Sequence, residues 1–232
     1  MKKLPASLSR QEFFRGLGML FFQQLVLPSL LYNLAILLRL RPTNAEINFA
    51  FFLINYLCIG FLMRKFLSAE LDVALGCIGK TFTSAALGFF VYTFLSSIIS
   101  QWILFFDPEF ANLNDAYVSA MSEKQFALIA VGTVILVPPA EELLFRGVLF
   151  NRLYHKRPVL SICLSAALFS VAHLLGYIDQ YTPLQFMLAF FQYVPAGLAL
   201  CFAYIRSGTI FAPILLHTFI NGIAMYYQFI SR

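Results

Sequence analysis

Three short stretches of the chain hold the side chains able to do chemistry. Glu141, Glu142 and Arg146 come first, then His173, then His217 with Asn221. Glu142 and Arg146 are i,i+4 with the acid N-terminal, the favourable order for an ion pair on one helix face. Glu141 is turned about 100° away from Glu142. One carboxylate thus has a cation built in, and the other is free to face a cavity. Phe169 and His173 share a face at i,i+4, as do His217 and Asn221. A free carboxylate and two imidazoles can take up and pass on protons, and an amide can donate hydrogen bonds.

The elements that must position them are membrane helices. Of the 232 residues 60% are hydrophobic and 12% charged, with a mean hydropathy of +0.79. A soluble domain averages about 45–50% apolar and about 25% charged. The composition excludes a disordered chain, a nucleic-acid binder and a soluble enzyme. The net charge of +5 does not reopen the nucleic-acid reading, because the basic residues are scattered through short loops. There they set orientation in a bilayer. Cys58, Cys77, Cys163 and Cys201 show no C-x-x-C spacing and read as small packing residues. No cleavage site follows the basic start, so the first apolar stretch reads as a retained helix.

The expected fold is all-α, a polytopic transmembrane bundle forming a single integral-membrane domain over 1–232, with the motif-bearing helices in 126–230. Seven segments are long enough to span, at roughly 14–38, 47–63, 82–106, 126–150, 159–177, 184–205 and 209–230. An eighth, partial helix fits in 66–80. Lys2, Lys3, Arg10 and Arg15 precede the first span, and Arg64, Lys65 and Lys80 follow the second. Arg152, Lys156 and Arg157 follow the fourth, and Arg206 the sixth. The loop 107–125 instead carries Asp107, Glu109, Asp115 and Glu123 against Lys124. This bias places the N-terminus in the cytoplasm, with Arg39 and Arg41 discordant.

Of sixteen basic and eleven acidic residues, all but Glu141, Glu142 and Arg146 can be assigned to loops, ends or membrane edges. Intramembrane charge costs a few kcal/mol even on the gentlest scale, so these three are functional suspects. Counting from the basic loops puts Glu141, His173, His217 and Asn221 about 16–22 Å deep, in one slab of the bilayer. Pro138-Pro139 should break the helix and restart it, leaving Glu141 near a half-helix N-terminus. Unwound backbone at that depth survives only beside protein or water, which argues for water next to Glu141. Taken singly, Glu142–Arg146 is a helix-stabilising pair, a membrane histidine or Asn221 can be interhelical glue, and a double proline can be a kink. The matched depth of all of them favours a site. His155, beside Lys156 and Arg157, reads as solvated.

The order Glu141-Glu142-x-x-x-Arg146, Phe169-x-x-x-His173, His217-x-x-x-Asn221 resembles the three motifs of the CAAX-protease and bacteriocin-processing (CPBP, or Abi) superfamily of intramembrane endopeptidases. All three occur in order across about 100 residues. The resemblance implies hydrolysis of a peptide bond within the membrane, with Glu141, His173, His217 and Asn221 catalytic and Glu142 and Arg146 supporting. Glu141 and His173 would activate a water, and His217 and Asn221 would stabilise the oxyanion. The superfamily is commonly labelled metalloendopeptidase, and Glu141, His173 and His217 could ligate zinc. With no H-E-x-x-H, a metal-free water is the preferred mechanism and zinc stays open. The implied partners are a peptide or membrane-protein substrate and the lipid bilayer. Leader, signal or bacteriocin-type peptides fit a bacterial cytoplasmic membrane, with the endoplasmic reticulum as the alternative. A non-catalytic bacteriocin-immunity or regulatory protein on the same scaffold, and a transporter or proton relay, are the rival readings.

Overall fold

The computed structural model describes Leu4 and residues 8–231. Lys2 and Lys3 lie outside the described residues. Eight helical runs are present among these: α1 Arg10–Leu37, α2 Asn44–Leu62, α3 Arg64–Leu75, α4 Ile78–Phe106, α5 Leu113–Tyr154, α6 Pro158–Tyr177, α7 Pro183–Ser207 and α8 Phe211–Ile230. All but α3 and α8 are both long and apolar enough to cross a membrane. Helix α8 spans 20 residues but is diluted by His217, Asn221 and Gln228, and it packs on α4, α5 and α7. The seven expected spans correspond one to one with α1, α2 and α4–α8. The short α3 is the partial eighth helix. The bundle is greasy outward, with Phe90, Phe94, Trp102 and Phe105 of α4 all exposed, as a lipid-facing surface requires.

Two sequence expectations need correction. The stretch 107–125 is not a loop throughout: α5 starts at Leu113 behind an Asn112 cap and is kinked at Gln125 (φ −139°, ψ 62°). Nor does Pro138-Pro139 unwind the chain. Five residues, Gly132–Leu136, widen into a π-helical turn, Val137 donates its N–H back to the Gly132 carbonyl, and helix continues through both prolines. In that register the next carbonyl, Thr133, faces a proline with no N–H to give. Asn221 of α8 fills the role, its Nδ2 lying 2.8 Å from the Thr133 oxygen. The same device precedes Pro28, where Phe22–Val26 forms a π-helical turn and Leu27 donates to Phe22. A third π-helical segment, Leu143–Phe150, carries Arg146. Its Phe145 and Phe150 carbonyls accept from Ser165 (3.1 Å) and Ser161 (2.8 Å) of α6, small residues that let the helices close up.

Carboxylates from distant helices supply caps that local sequence does not. Helix α3 has no side-chain cap of its own, and Glu12 of α1 accepts the Phe66 N–H at 2.9 Å. Helix α8 also lacks one, and Glu70 of α3 accepts the Ile210 N–H at 2.6 Å. Glu70 is fully buried and also accepts from the Tyr204 hydroxyl at 2.8 Å, while its carbonyl accepts from Thr209 at 3.0 Å. The turn it grips contains Gly208, whose left-handed φ of 86° lets α7 stop and α8 begin. A carboxylate at a helix N-terminus is favoured by both the free N–H groups and the dipole. Glu70 thereby sets the start of the helix that carries His217.

Glu70→Ala leaves a buried N–H and hydroxyl without their acceptor and is expected to cost about 2–3 kcal/mol, read as a lowered melting temperature. Glu70→Gln still accepts the Ile210 N–H and should lose clearly less. Burial pushes the Glu70 carboxyl up from its ordinary value of 4.5. The folded state then holds a proton the unfolded chain releases, so stability falls as pH rises from 4.5 through the raised folded value. In Glu70→Gln that component of the pH dependence should vanish from melting curves.

Candidate active site

The structure draws Glu141, His173 and His217 together from three helices, α5, α6 and α8. Glu141 Oε2 lies 4.0 Å from Nε2 of His173 and 4.0 Å from Nε2 of His217. These groups, Asn221, Asp115 and Tyr193 line a cavity of about 500 Å³. Asn221 reaches the wall by way of its bond to the Thr133 carbonyl, so it holds α8 against the widened turn of α5 as well as facing the cavity. His155 is exposed and apart from this group.

Below the cavity floor sits the ionic frame. Glu142 is fully buried, and its Oε1 accepts from Arg146 at 3.0 Å and from His217 Nδ1 at 2.9 Å. The Arg146 guanidinium donates also to the Gly197 carbonyl at 3.0 Å and stacks 4.7 Å from the Phe169 ring centre. Gly197 permits this contact, because a Cβ there would lie 2.8 Å from the Ala166 backbone and push α7 off α6. Sequence spacing pairs Glu142 with Arg146 alone; the structure makes the carboxylate a three-way joint that also aims His217.

Both imidazoles have their tautomer set from behind. His173 Nδ1 lies 2.9 Å from the Phe169 carbonyl, which can only accept, so that nitrogen carries the hydrogen. His217 Nδ1 likewise faces a carboxylate. In each ring Nε2 is left for the cavity. The separations also bear on a metal. A zinc bound at about 2.05 Å to two atoms 4.0 Å apart would subtend about 155° between them, far from tetrahedral. Among the described residues no group of three His, Cys, Asp or Glu is spaced to hold a metal ion. At hydrogen-bond lengths of about 2.8 Å, by contrast, a water would see the same pair at about 90°.

Sequence reading passed over Asp115, Asn114, Gln192 and Tyr193, which form a polar wall of the same cavity. Asp115 was assigned to a loop. Gln192 and Tyr193 gave a readable signal, as adjacent polar residues in the middle of an apolar span.

The arrangement is that of a helical membrane protein with a carboxylate–imidazole site at its core. Residues 123–223 match the family model Rce1-like, described as type II CAAX prenyl endopeptidase Rce1-like. The chain is thus similar to that endopeptidase family over this stretch, in keeping with the motif resemblance. No curated protein and no solved structure matches the chain.

The ionic frame yields a stability test. Glu142→Gln strands a buried guanidinium and is expected to cost about 3–5 kcal/mol. The double variant Glu142→Gln/Arg146→Met removes the stranded charge and should recover much of that loss in the melting temperature. Equal destabilisation of both variants would show that the frame acts through packing and not through charge.

Proposed function

We propose that the protein is an intramembrane endopeptidase that hydrolyses a peptide bond with a water activated by Glu141 and His173. The observation that carries this reading is the meeting of Glu141 with two imidazole Nε2 atoms at 4.0 Å on the wall of a polar cavity. That distance is too long for a direct hydrogen bond and suits one water between the groups. The water would donate to the Glu141 carboxylate and to His173 Nε2, turning its lone pair to the scissile carbonyl. Glu141 would take the proton as the oxygen–carbon bond forms. His217, when protonated on Nε2 and backed by Glu142, would donate to the oxyanion, together with the second N–H of Asn221. Collapse of the tetrahedral intermediate would expel the amine, which takes the proton held on Glu141. No metal takes part in this scheme.

The substrate class is a membrane-bound or membrane-inserting peptide, whether leader, signal or bacteriocin-type, or a prenylated C-terminal peptide. The membrane assigned is the bacterial cytoplasmic one. The test uses purified protein in lipid nanodiscs with two quenched-fluorescent probes, a farnesyl-cysteine CAAX peptide and an apolar leader peptide. Wild type should cleave at least one probe, and Glu141→Gln should lower kcat by about 10²–10⁴-fold. Full cleavage by Glu141→Gln, or no cleavage of either probe by wild type, would overturn the assignment. Activity should also survive chelation, whereas loss on chelation with recovery on added zinc would replace the metal-free scheme.

A further inference from the structure

The Tyr193 ring, on α7, stacks on the His173 imidazole with centroids 4.5 Å apart and planes 28° from parallel. Phe169 packs on the same imidazole at 4.6 Å. The ring of His173 is thus confined between two aromatic side chains, with Nδ1 tied to the Phe169 carbonyl and Nε2 toward Glu141. Tyr193 is itself held from its far end. Its hydroxyl donates to Asp115 Oδ1 at 2.9 Å and accepts from Asn114 Nδ2 at 3.0 Å. Both partners sit in the first turn of α5, capped by Asn112, which also bonds the neighbouring Gln192 at 2.9 Å. A tyrosine with both ends fixed has little rotamer freedom left, and neither does the ring it covers.

We propose that Tyr193, braced by Asp115 and Asn114, is a positioning residue for His173, clamping the imidazole so that its Nε2 stays aimed at the water on Glu141. The inference rests on the hydrolytic reading of the site for its effect on rate, though the clamp itself can be read without substrate. An imidazole free to swing would still let peptide bind in the cavity but would present Nε2 less often in line. The cost therefore falls on kcat and not on KM. Tyr193→Phe keeps the stacked ring and loses only the brace. Tyr193→Leu loses the clamp.

The chain has only three histidines, so spectra of ring-labelled histidine in nanodiscs are simple, and His173→Gln assigns the relevant signal. In wild type the His173 Cε1–H should be shifted upfield by the Tyr193 ring current. Tyr193→Leu should abolish that shift, raise the mobility of the His173 ring in relaxation measurements and lower kcat on whichever probe wild type cleaves by about 10–100-fold, with KM little changed. Tyr193→Phe should keep most of the shift and most of the rate. A tyrosine that merely ties α5 to α7 predicts otherwise. Tyr193→Leu would then lower the melting temperature while leaving the His173 ring mobility and kcat as in wild type, and that result would overturn the proposal. Should wild type cleave neither probe, the hydrolytic reading fails, and the mobility of the labelled His173 ring, raised in Tyr193→Leu if the clamp holds and unchanged if it does not, decides the clamp.

Discussion

Keeping a carboxylate charged inside a membrane protein is the constraint on which the rest of this structure depends. Glu142 has no access to solvent, and an ion so placed is tolerable only with close, well-aimed partners. Arg146 provides the countercharge within one helix turn, but a guanidinium has five N–H groups and needs acceptors of its own. One is the Gly197 carbonyl and another the face of Phe169. The second donor on Glu142 is His217, so satisfying the ion pair fixes α5, α6, α7 and α8 against one another. Glu141 borders this frame without belonging to it, which leaves its carboxylate to the cavity.

The helices accept that geometry because backbone demands are met from outside each segment. Pro138-Pro139 remove two N–H groups, and beside the π-helical turn Asn221 supplies a donor to the Thr133 carbonyl. The π-helical segment after Glu142 has two of its carbonyls covered by Ser161 and Ser165. Helices α3 and α8 start on carboxylates lent by Glu12 and Glu70. Each of these contacts ties a place where regular helix fails to a second helix. In lipid, where no water stands by to fill the gap, such ties serve as both packing and backbone satisfaction.

This explains what could be read from the sequence and what could not. Apolar run length gave the spans, and rarity of charge gave Glu141, Glu142 and Arg146, because both signals are local and large in energy. The depth count brought His173 and His217 to the same slab, and the structure places them on one carboxylate. The double proline was misjudged because a missing N–H has two remedies, unwinding or a widened turn. The choice depends on whether a donor such as Asn221 arrives from 88 residues away. Glu70 carries no signal in the sequence, because its partner Ile210 lies 140 residues on. Asp115 looked like a loop acid because nothing near it in sequence announces Tyr193.

The two halves of the cavity wall then differ in kind. On the α5–α8 side the groups are held by charge, through Glu142 and Arg146, and that hold is strong because it is dry. On the α7 side His173 is held by ring stacking on Tyr193, whose hydroxyl bonds Asp115 and Asn114 in the first turn of α5. A charge frame resists displacement of Glu141 and His217 relative to each other. The aromatic contacts instead limit rotation of one ring. Keeping three groups from three helices in register takes both kinds of hold, charge on the side bearing the carboxylates and stacking on the ring of His173.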